Sequence, residues 1–300
     1  MTANDLNAAR TERLAVAALF VSGLLWGLTW IPLKHFANNG LSGLGITLTS
    51  YGIVGLFALP LIWRQRAAWR PQWMLLVTAA LTGGAANVCF VSGLALGEVV
   101  RVMLMFYLAP VWGVLGARLF LGEALCAPRV AGVVMAVIGA ALVLGGPELL
   151  SAPISASDLL GLAAGLLYAI QNIAFRAADR VPVLSKALAV FTGCGLISGL
   201  LFPLTGGSLA SVTPFVVLQL VLFAGVWMMA AMWTTMYGVT HLEAGRASVL
   251  LVFELVAAVA SAMLIGGERL SPLEWLGALL ITGAALLEAR SDPPAERTAA

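Results

Sequence analysis

Three short stretches of this chain recur about half its length later, and that duplication restricts the fold more than any other feature. Gly23-Leu24-Leu25-Trp26-Gly27-Leu28 is matched by Gly165-Leu166-Leu167-Tyr168-Ala169-Ile170. Glu98-x-x-Arg101 is matched by Glu243-x-x-Arg246, and Gly122-Glu123-x-Leu125 by Gly267-Glu268-x-Leu270. The offset is 142 residues for the first pair and 145 for the other two. Each copy holds five apolar segments long enough to span a bilayer, and an odd number obliges the second copy to enter the membrane from the opposite side. Inverted repeats of this kind build many secondary transporters, in which one repeat rocks against the other around a midplane site.

Composition supports a membrane setting. Apolar residues make up 61% of the chain and charged residues 10%, against about 25% charged in soluble domains. A span needs about 20 apolar residues to cross about 30 Å of hydrocarbon. Ten such segments are expected, at 14–34, 41–63, 73–93, 99–120, 130–146, 159–180, 187–205, 214–238, 244–265 and 273–287. The predicted fold is therefore an all-α membrane protein, ten transmembrane helices in two inverted five-helix repeats. The repeats occupy 14–146 and 159–289, joined by an external linker at 147–158 and flanked by cytoplasmic tails at 1–13 and 290–300.

Charge placement sets the expected orientation. Counting alternate loops puts Arg10, Arg13, Arg64, Arg66, Arg70, Arg118, Arg129, Arg176, Arg180, Lys186, Arg246, Arg290 and Arg297 on one side. Only Lys34, Arg101 and Arg269 fall on the other, so both termini are expected in the cytoplasm by the positive-inside rule. The first span is read as retained, because Ile31-Pro32-Leu33-Lys34 lacks a small-residue cleavage site. Cys89, Cys126 and Cys194 are scattered without a C-x-x-C pair and read as small buried hydrophobes.

Glu254 stands out inside the spans. It lies about ten residues into the ninth, between Val249-Leu250-Leu251-Val252-Phe253 and Leu255-Val256-Ala257-Ala258. An ionised side chain at that depth costs at least about 2.5–3.5 kcal/mol, so it must face the bundle interior, water or a partner. Its role is either proton acceptor or counter-ion to a substrate amine, or else that of a protonated carboxyl holding a neighbouring helix. Trp26 and Trp30 share a face of span one, and their repeat equivalents are Tyr168 and Asn172. Asn87, Phe90, Tyr107, Trp227 and Trp233 complete a set with the composition of a binding pocket, mostly apolar with a few orienting polar groups. Some of these rings instead suit lipid or the interfacial belt, the reading taken for Trp63, Trp73 and Trp275.

Pro110, in mid-span, is expected to kink the fourth helix. The repeated pairs Glu98–Arg101 and Glu243–Arg246 mark equivalent positions at opposite mouths, where making and breaking polar contacts would gate access. The alternative is helix-end electrostatics, with glutamate complementing the macrodipole and arginine pairing with it. Gly23-x-x-x-Gly27, Gly161-x-x-x-Gly165 and Gly195-x-x-x-Gly199 have the small-xxx-small spacing that lets membrane helices approach closely.

Ala109-Pro110-Val111-Trp112-Gly113 leading to Leu121-Gly122-Glu123, within two inverted fives, resembles the drug/metabolite transporter superfamily. More narrowly the chain is similar to its EamA-type exporters, including the bacterial aromatic amino-acid exporters, over roughly 14–289. The second repeat departs from that pattern: Leu255 stands where the proline is expected, and Gly266-Gly267-Glu268 replaces Leu-Gly-Glu, which leaves a symmetric kink in spans four and nine open. The resemblance implies export of small amphipathic metabolites such as amino acids from a bacterial inner membrane, as monomer or homodimer, driven by protons or the substrate gradient. Lipophilic drugs or cations are the competing cargo. No G-x-x-x-x-G-K-[ST] loop occurs, so no built-in ATPase, and no ATPase partner, cofactor, metal or nucleic acid, is expected. An intramembrane enzyme would need H-E-x-x-H or G-x-S-x-G, which are absent, and a channel would need a continuous polar stripe.

Overall fold

The computed structural model describes residues 3–120, 127–143, 154–205, 213–242 and 250–290, and no strand occurs among them. The first repeat comprises α1 (Ala3–Gly27), α2 (Trp30–Asn38), α3 (Gly43–Arg64), α4 (Trp73–Leu96), α5 (Val99–Phe106), α6 (Ala109–Phe120) and α7 (Ala127–Val143). The second comprises α8 (Ala156–Ala177), α9 (Val183–Leu201), α10 (Pro214–Leu222), α11 (Met229–His241), α12 (Phe253–Leu264) and α13 (Pro272–Arg290). Seven spans among the described residues are long and apolar enough to cross a membrane: Arg10–Asn38, Gly43–Arg64, Arg66–Leu96, Val99–Gly116, Ala156–Ala177, Val183–Thr205 and Pro214–Val239. Three shorter apolar helices, Val130–Val143, Phe253–Leu264 and Pro272–Leu287, stand where the sequence predicts spans five, nine and ten.

Polar side chains start these helices by taking up backbone N–H groups that have no partner in the first turn. Ser42 accepts from Gly45 N at 3.1 Å at the head of α3. Ser155 and Asp158 form a reciprocal capping box on α8. Ser271 and Glu274 make the equivalent pair of bonds at the start of α13. Thr213 caps α10 just before Pro214, whose missing N–H costs nothing there.

The packing mirrors the duplication, and each repeat's first helix crosses to the other repeat. α1 lies on α11 and α12, while α8 lies on α4, α5 and α6. α3 pairs with α9 and α7 with α13, each helix meeting its own equivalent. Glycines permit the crossings. A methyl on Gly23 would lie 3.3 Å from the Glu254 backbone nitrogen, and one on Gly165 would lie 3.4 Å from that of Ala109. Glu254 and Ala109 are themselves repeat equivalents, 145 residues apart.

The fourth helix of the first repeat breaks at Tyr107–Leu108, between α5 and α6. Pro110 falls in the first turn of α6, where no backbone donor is required. The ninth helix is interrupted at the equivalent point, Val252, without a proline. The question left open by Leu255 is thus answered: both fourth helices break. Span eight departs from its counterpart α4, because Phe223–Met228 winds as a π-helix between α10 and α11, a form that recurs at functional sites.

The surface is that of a lipid-facing bundle. Leu264, Leu204, Phe57 and Leu119 are each more than 75% exposed, whereas Ser22, Thr47, Ser50, Ser185 and Ser198 are fully buried. Small polar groups inside bond to helix carbonyls, as Thr47 Oγ1 does to Gly43 O and Ser50 Oγ to Ile46 O.

Candidate functional site

Glu254 sits in the first turn of α12, and α1 crosses directly over it. A methyl on Gly27 would meet Glu254 O at 2.7 Å and Ala258 N at 3.0 Å, so only glycine lets α1 lie this close to the carboxylate's own backbone. Three tyrosines lie in its neighbourhood: Tyr51 from α3, Tyr107 at the α5–α6 break and Tyr168 from α8. The Tyr107 hydroxyl also interacts with the Leu255 backbone, and that of Tyr168 with the Asn172 side chain. Glu254 makes no ion pair among the described residues, and the pair Arg101–Asp158 lies elsewhere.

Aromatic rings continue from this point. Phe106 packs on Phe90 at 4.8 Å, on Tyr107 at 5.7 Å and on Tyr168 at 5.3 Å between centroids. Tyr51 stacks on Phe191 at 5.6 Å. Asn87, three residues before Phe90, turns its amide onto Gly83 O at 2.9 Å. Phe90, Tyr107, Tyr168, Asn172 and Glu254 thus converge from four helices. Phe106, Tyr51 and Gln171 belong to the same region and escaped the sequence reading. Gln171 is 6% exposed, its Oε1 has no hydrogen-bond partner among the described residues, and it presses on Gly83.

The tryptophans divide differently. Trp26 donates to Thr235 Oγ1 at 3.0 Å, and Ser22 shares that hydroxyl at 2.5 Å, tying α1 to α11. Trp227, in the π-helix, donates to Leu25 O and Thr29 Oγ1, both at 3.1 Å. Trp30 is buried and donates to Ser261 Oγ at 2.9 Å, tying α2 to α12. These three indoles are committed to joining the repeats. Trp233 stands apart: it is 74% exposed and, two residues from Thr235, projects from the opposite side of α11.

At the mouth carrying Lys34 and Arg101, four elements are bonded together. Arg101 grips Asp158 with two bonds, Nε to Oδ1 at 3.1 Å and Nη2 to Oδ2 at 2.8 Å. Asp158 is 2% exposed and Arg101 25%. Glu268 reaches from the second repeat to accept from Val99 N at 2.7 Å and Val100 N at 2.9 Å, capping α5. Lys34 Nζ donates to Gly97 O at 2.6 Å. Glu98 is exposed and makes no side-chain cap, so the ionic partner of Arg101 is Asp158 and not its sequence neighbour. Glu243 and Arg246 lie outside the described residues.

Comparison with known proteins agrees with the architecture. The family model described as the EamA-like transporter family matches residues 13–145 and again 155–289. Fifteen chains of solved structures match; one, described only as the crystal structure of a protein, is 19% identical. It covers 91% of this chain and 95% of its own length with a TM-score of 0.60, a likeness of fold alone. A search among curated proteins found no match. With the family model matched once in each half, this chain belongs to the EamA-like transporter family, whose members are membrane transporters of small solutes.

Proposed function

We propose that the chain is a secondary carrier that exports small amphipathic metabolites, amino acids with aromatic side chains among them, from the cytoplasm of a bacterial cell. Ten spans with both termini inside carry it, and alternating access delivers the cargo. The observation that supports this most is the placement of Glu254, a single carboxylate without an ionic partner, beside three tyrosines where both repeats meet. A carboxylate there pairs with the ammonium of the cargo, and its protonation when the cargo leaves removes the charge that would otherwise cross empty. Phe90, Phe106 and Tyr168 offer ring faces and edges to an aromatic side chain. Asn172 and Asn87 supply amide groups near them.

In this reading the bonded mouth is the outer one, and it is shut. Arg101–Asp158, Glu268 with Val99 and Val100, and Lys34 with Gly97 must part before cargo is released.

The test is counterflow in proteoliposomes with a panel of aromatic amino acids, aliphatic amino acids and lipophilic cations. Glu254→Gln keeps size and hydrogen bonding but removes the charge. Loss of a charged partner is expected to weaken cargo binding by about 1–3 kcal/mol, roughly 5- to 150-fold. Parental rates with parental pH dependence, in folded Glu254→Gln protein, would show that the carboxylate is structural. Lipophilic cations transported in preference to amino acids would assign the aromatic cluster to a drug-type cargo.

A further inference from the structure

A second site lies about the end of α3 and the start of α4, away from Glu254. There a groove of about 710 Å³ opens between these helices and α9. Its wall is apolar, contributed by Leu59, Ile62, Val77 and Ala80. Its rim is not: Trp63, Trp69 and Trp73 ring it, and Arg66 and Arg70 belong to the same lining. The gradient from hydrocarbon through indole to guanidinium matches the gradient of a phospholipid from acyl chain through glycerol to phosphate.

The rim is built and held. Trp69 Nε1 donates to Ile62 O at 2.8 Å, folding the loop back on α3. Ser185 donates to Gln65 Oε1 at 2.5 Å, and Gln72 donates to Asp179 Oδ1 at 2.6 Å, pinning the loop to the second repeat. The Gln72 amide, and after it Arg180, holds the Asp179 carboxyl below its usual range, so that carboxylate is already engaged. Arg66 lies over the Trp63 ring at 5.3 Å, and neither Arg66 nor Arg70 is in a salt bridge among the described residues. Two guanidinium groups thus have no ionic partner among the described residues, beside an apolar trough.

We infer that this groove binds one anionic phospholipid, its acyl chain along α3 and α4 and its phosphodiester on Arg66 and Arg70. The leaflet rests on the orientation proposed above, which puts this loop on the cytoplasmic side; binding itself does not depend on the cargo site.

Bromine-labelled lipids quench nearby tryptophan, and three of the nine tryptophans line this groove. The purified full chain in neutral micelles is titrated with dibrominated phosphatidylglycerol or dibrominated phosphatidylcholine. Each basic residue near an anionic surface contributes up to about a fivefold factor, so two predict a preference for phosphatidylglycerol of up to roughly 30-fold. The double variant Arg66→Gln/Arg70→Gln, eluting as the parental protein does, is expected to lose that preference. Arg64→Gln, at the end of α3 but outside the groove, is expected to keep it. Equal quenching by both lipids, or a preference unchanged in the double variant, would overturn the site. Displacement of the lipid by inorganic phosphate but not by chloride at the same ionic strength would assign the arginines to a free anion and overturn it equally. Glu254→Gln keeps the lipid preference if the site is separate, so a negative counterflow result and a negative quenching result are read independently.

Discussion

The pair Arg101–Asp158 gives a quantitative test of how the mouth is held. Its two bonds join α5 to α8 with the carboxylate 2% exposed and the guanidinium 25% exposed. The two single neutralisations are therefore not equivalent. In Arg101→Gln the carboxylate stays buried with only the Ser155 backbone N–H, at 3.1 Å, to satisfy it. Stranding one partner of a buried pair costs about 3–5 kcal/mol, and the surviving cap bond places the expectation near the lower end, about 3 kcal/mol. In Asp158→Asn the arginine keeps its bond to Val143 O at 3.4 Å and partial access to water, and the asparagine can still accept from Ser155, so about 1–2 kcal/mol is expected. The double variant strands neither charge and should cost about 2–3 kcal/mol, less than the singles together. At roughly 2 °C per kcal/mol for a chain of this size, the melting temperatures fall by about 6, 3 and 5 °C in that order. Thermal unfolding of all four proteins in one detergent measures the cycle. Additivity within about 0.5 kcal/mol, or a larger loss for Asp158→Asn than for Arg101→Gln, would refute the argument that the pair is coupled and that burial of the carboxylate decides its cost.

Gly27→Ala forces a methyl to within 2.7 Å of Glu254 O, a backbone atom that cannot swing aside, so about 1–3 kcal/mol of stability is lost and α1 shifts off α12; unfolding and counterflow should both show it. Glu268→Gln leaves one acceptor for the N–H groups of Val99 and Val100, which should cost about 1 kcal/mol in thermal unfolding and shift cysteine accessibility toward an open Arg101 mouth. In protein freed of Cys89, Cys126 and Cys194, Asn39→Cys is expected to label from outside the cell and Ala68→Cys only after permeabilisation; external labelling at 68 would overturn the orientation. Tyr168→Ala, which loses the ring contact with Phe106, should weaken transport of aromatic amino acids more than aliphatic ones.

The apolar helices and their duplication were legible because they follow from apolar length and from short-range repetition, whereas which helix packs on which came only from the fold. Glu254 was legible for the opposite reason, as an exception that hydrocarbon does not tolerate. The partner of Arg101 was not found, although a signal for it existed. Ser155-Ala156-Ser157-Asp158 is a capping box, and it places Asp158 at the third position of α8 and not in the linker ending at 158. Counting charges as loop hid a buried helical carboxylate. Trp233 shows what phase adds: composition marks an aromatic residue in a span, but only the packing of α11 decides which side it leaves by. The π-helix at Phe223–Met228 left no signature that local pattern could give, because one extra residue in a turn is imposed by neighbours.

What the duplication preserves and what it drops separates scaffold from chemistry. Backbone crossings are kept: Gly23 lies over Glu254 as Gly165 lies over Ala109, almost to the same distance. Side-chain charges are kept only in part. The carboxylate at 254 faces alanine at its equivalent, and the offset of the first helices places Val16 opposite Asp158. Arginine is repeated at 101 and 246, but the position of Asp158 is not kept as an acid. A rocking bundle is held at each mouth by the ties that mouth can form, and at the Arg101 mouth the tie is a coupled ion pair. In the proposed cycle this pair has to part before its mouth opens, so it weights the equilibrium toward the shut state before any cargo binds. Cargo pairing with Glu254 from the opposite side then has to supply the differential affinity that opens it, since a ligand shifts such an equilibrium only by what it gains in one state over the other.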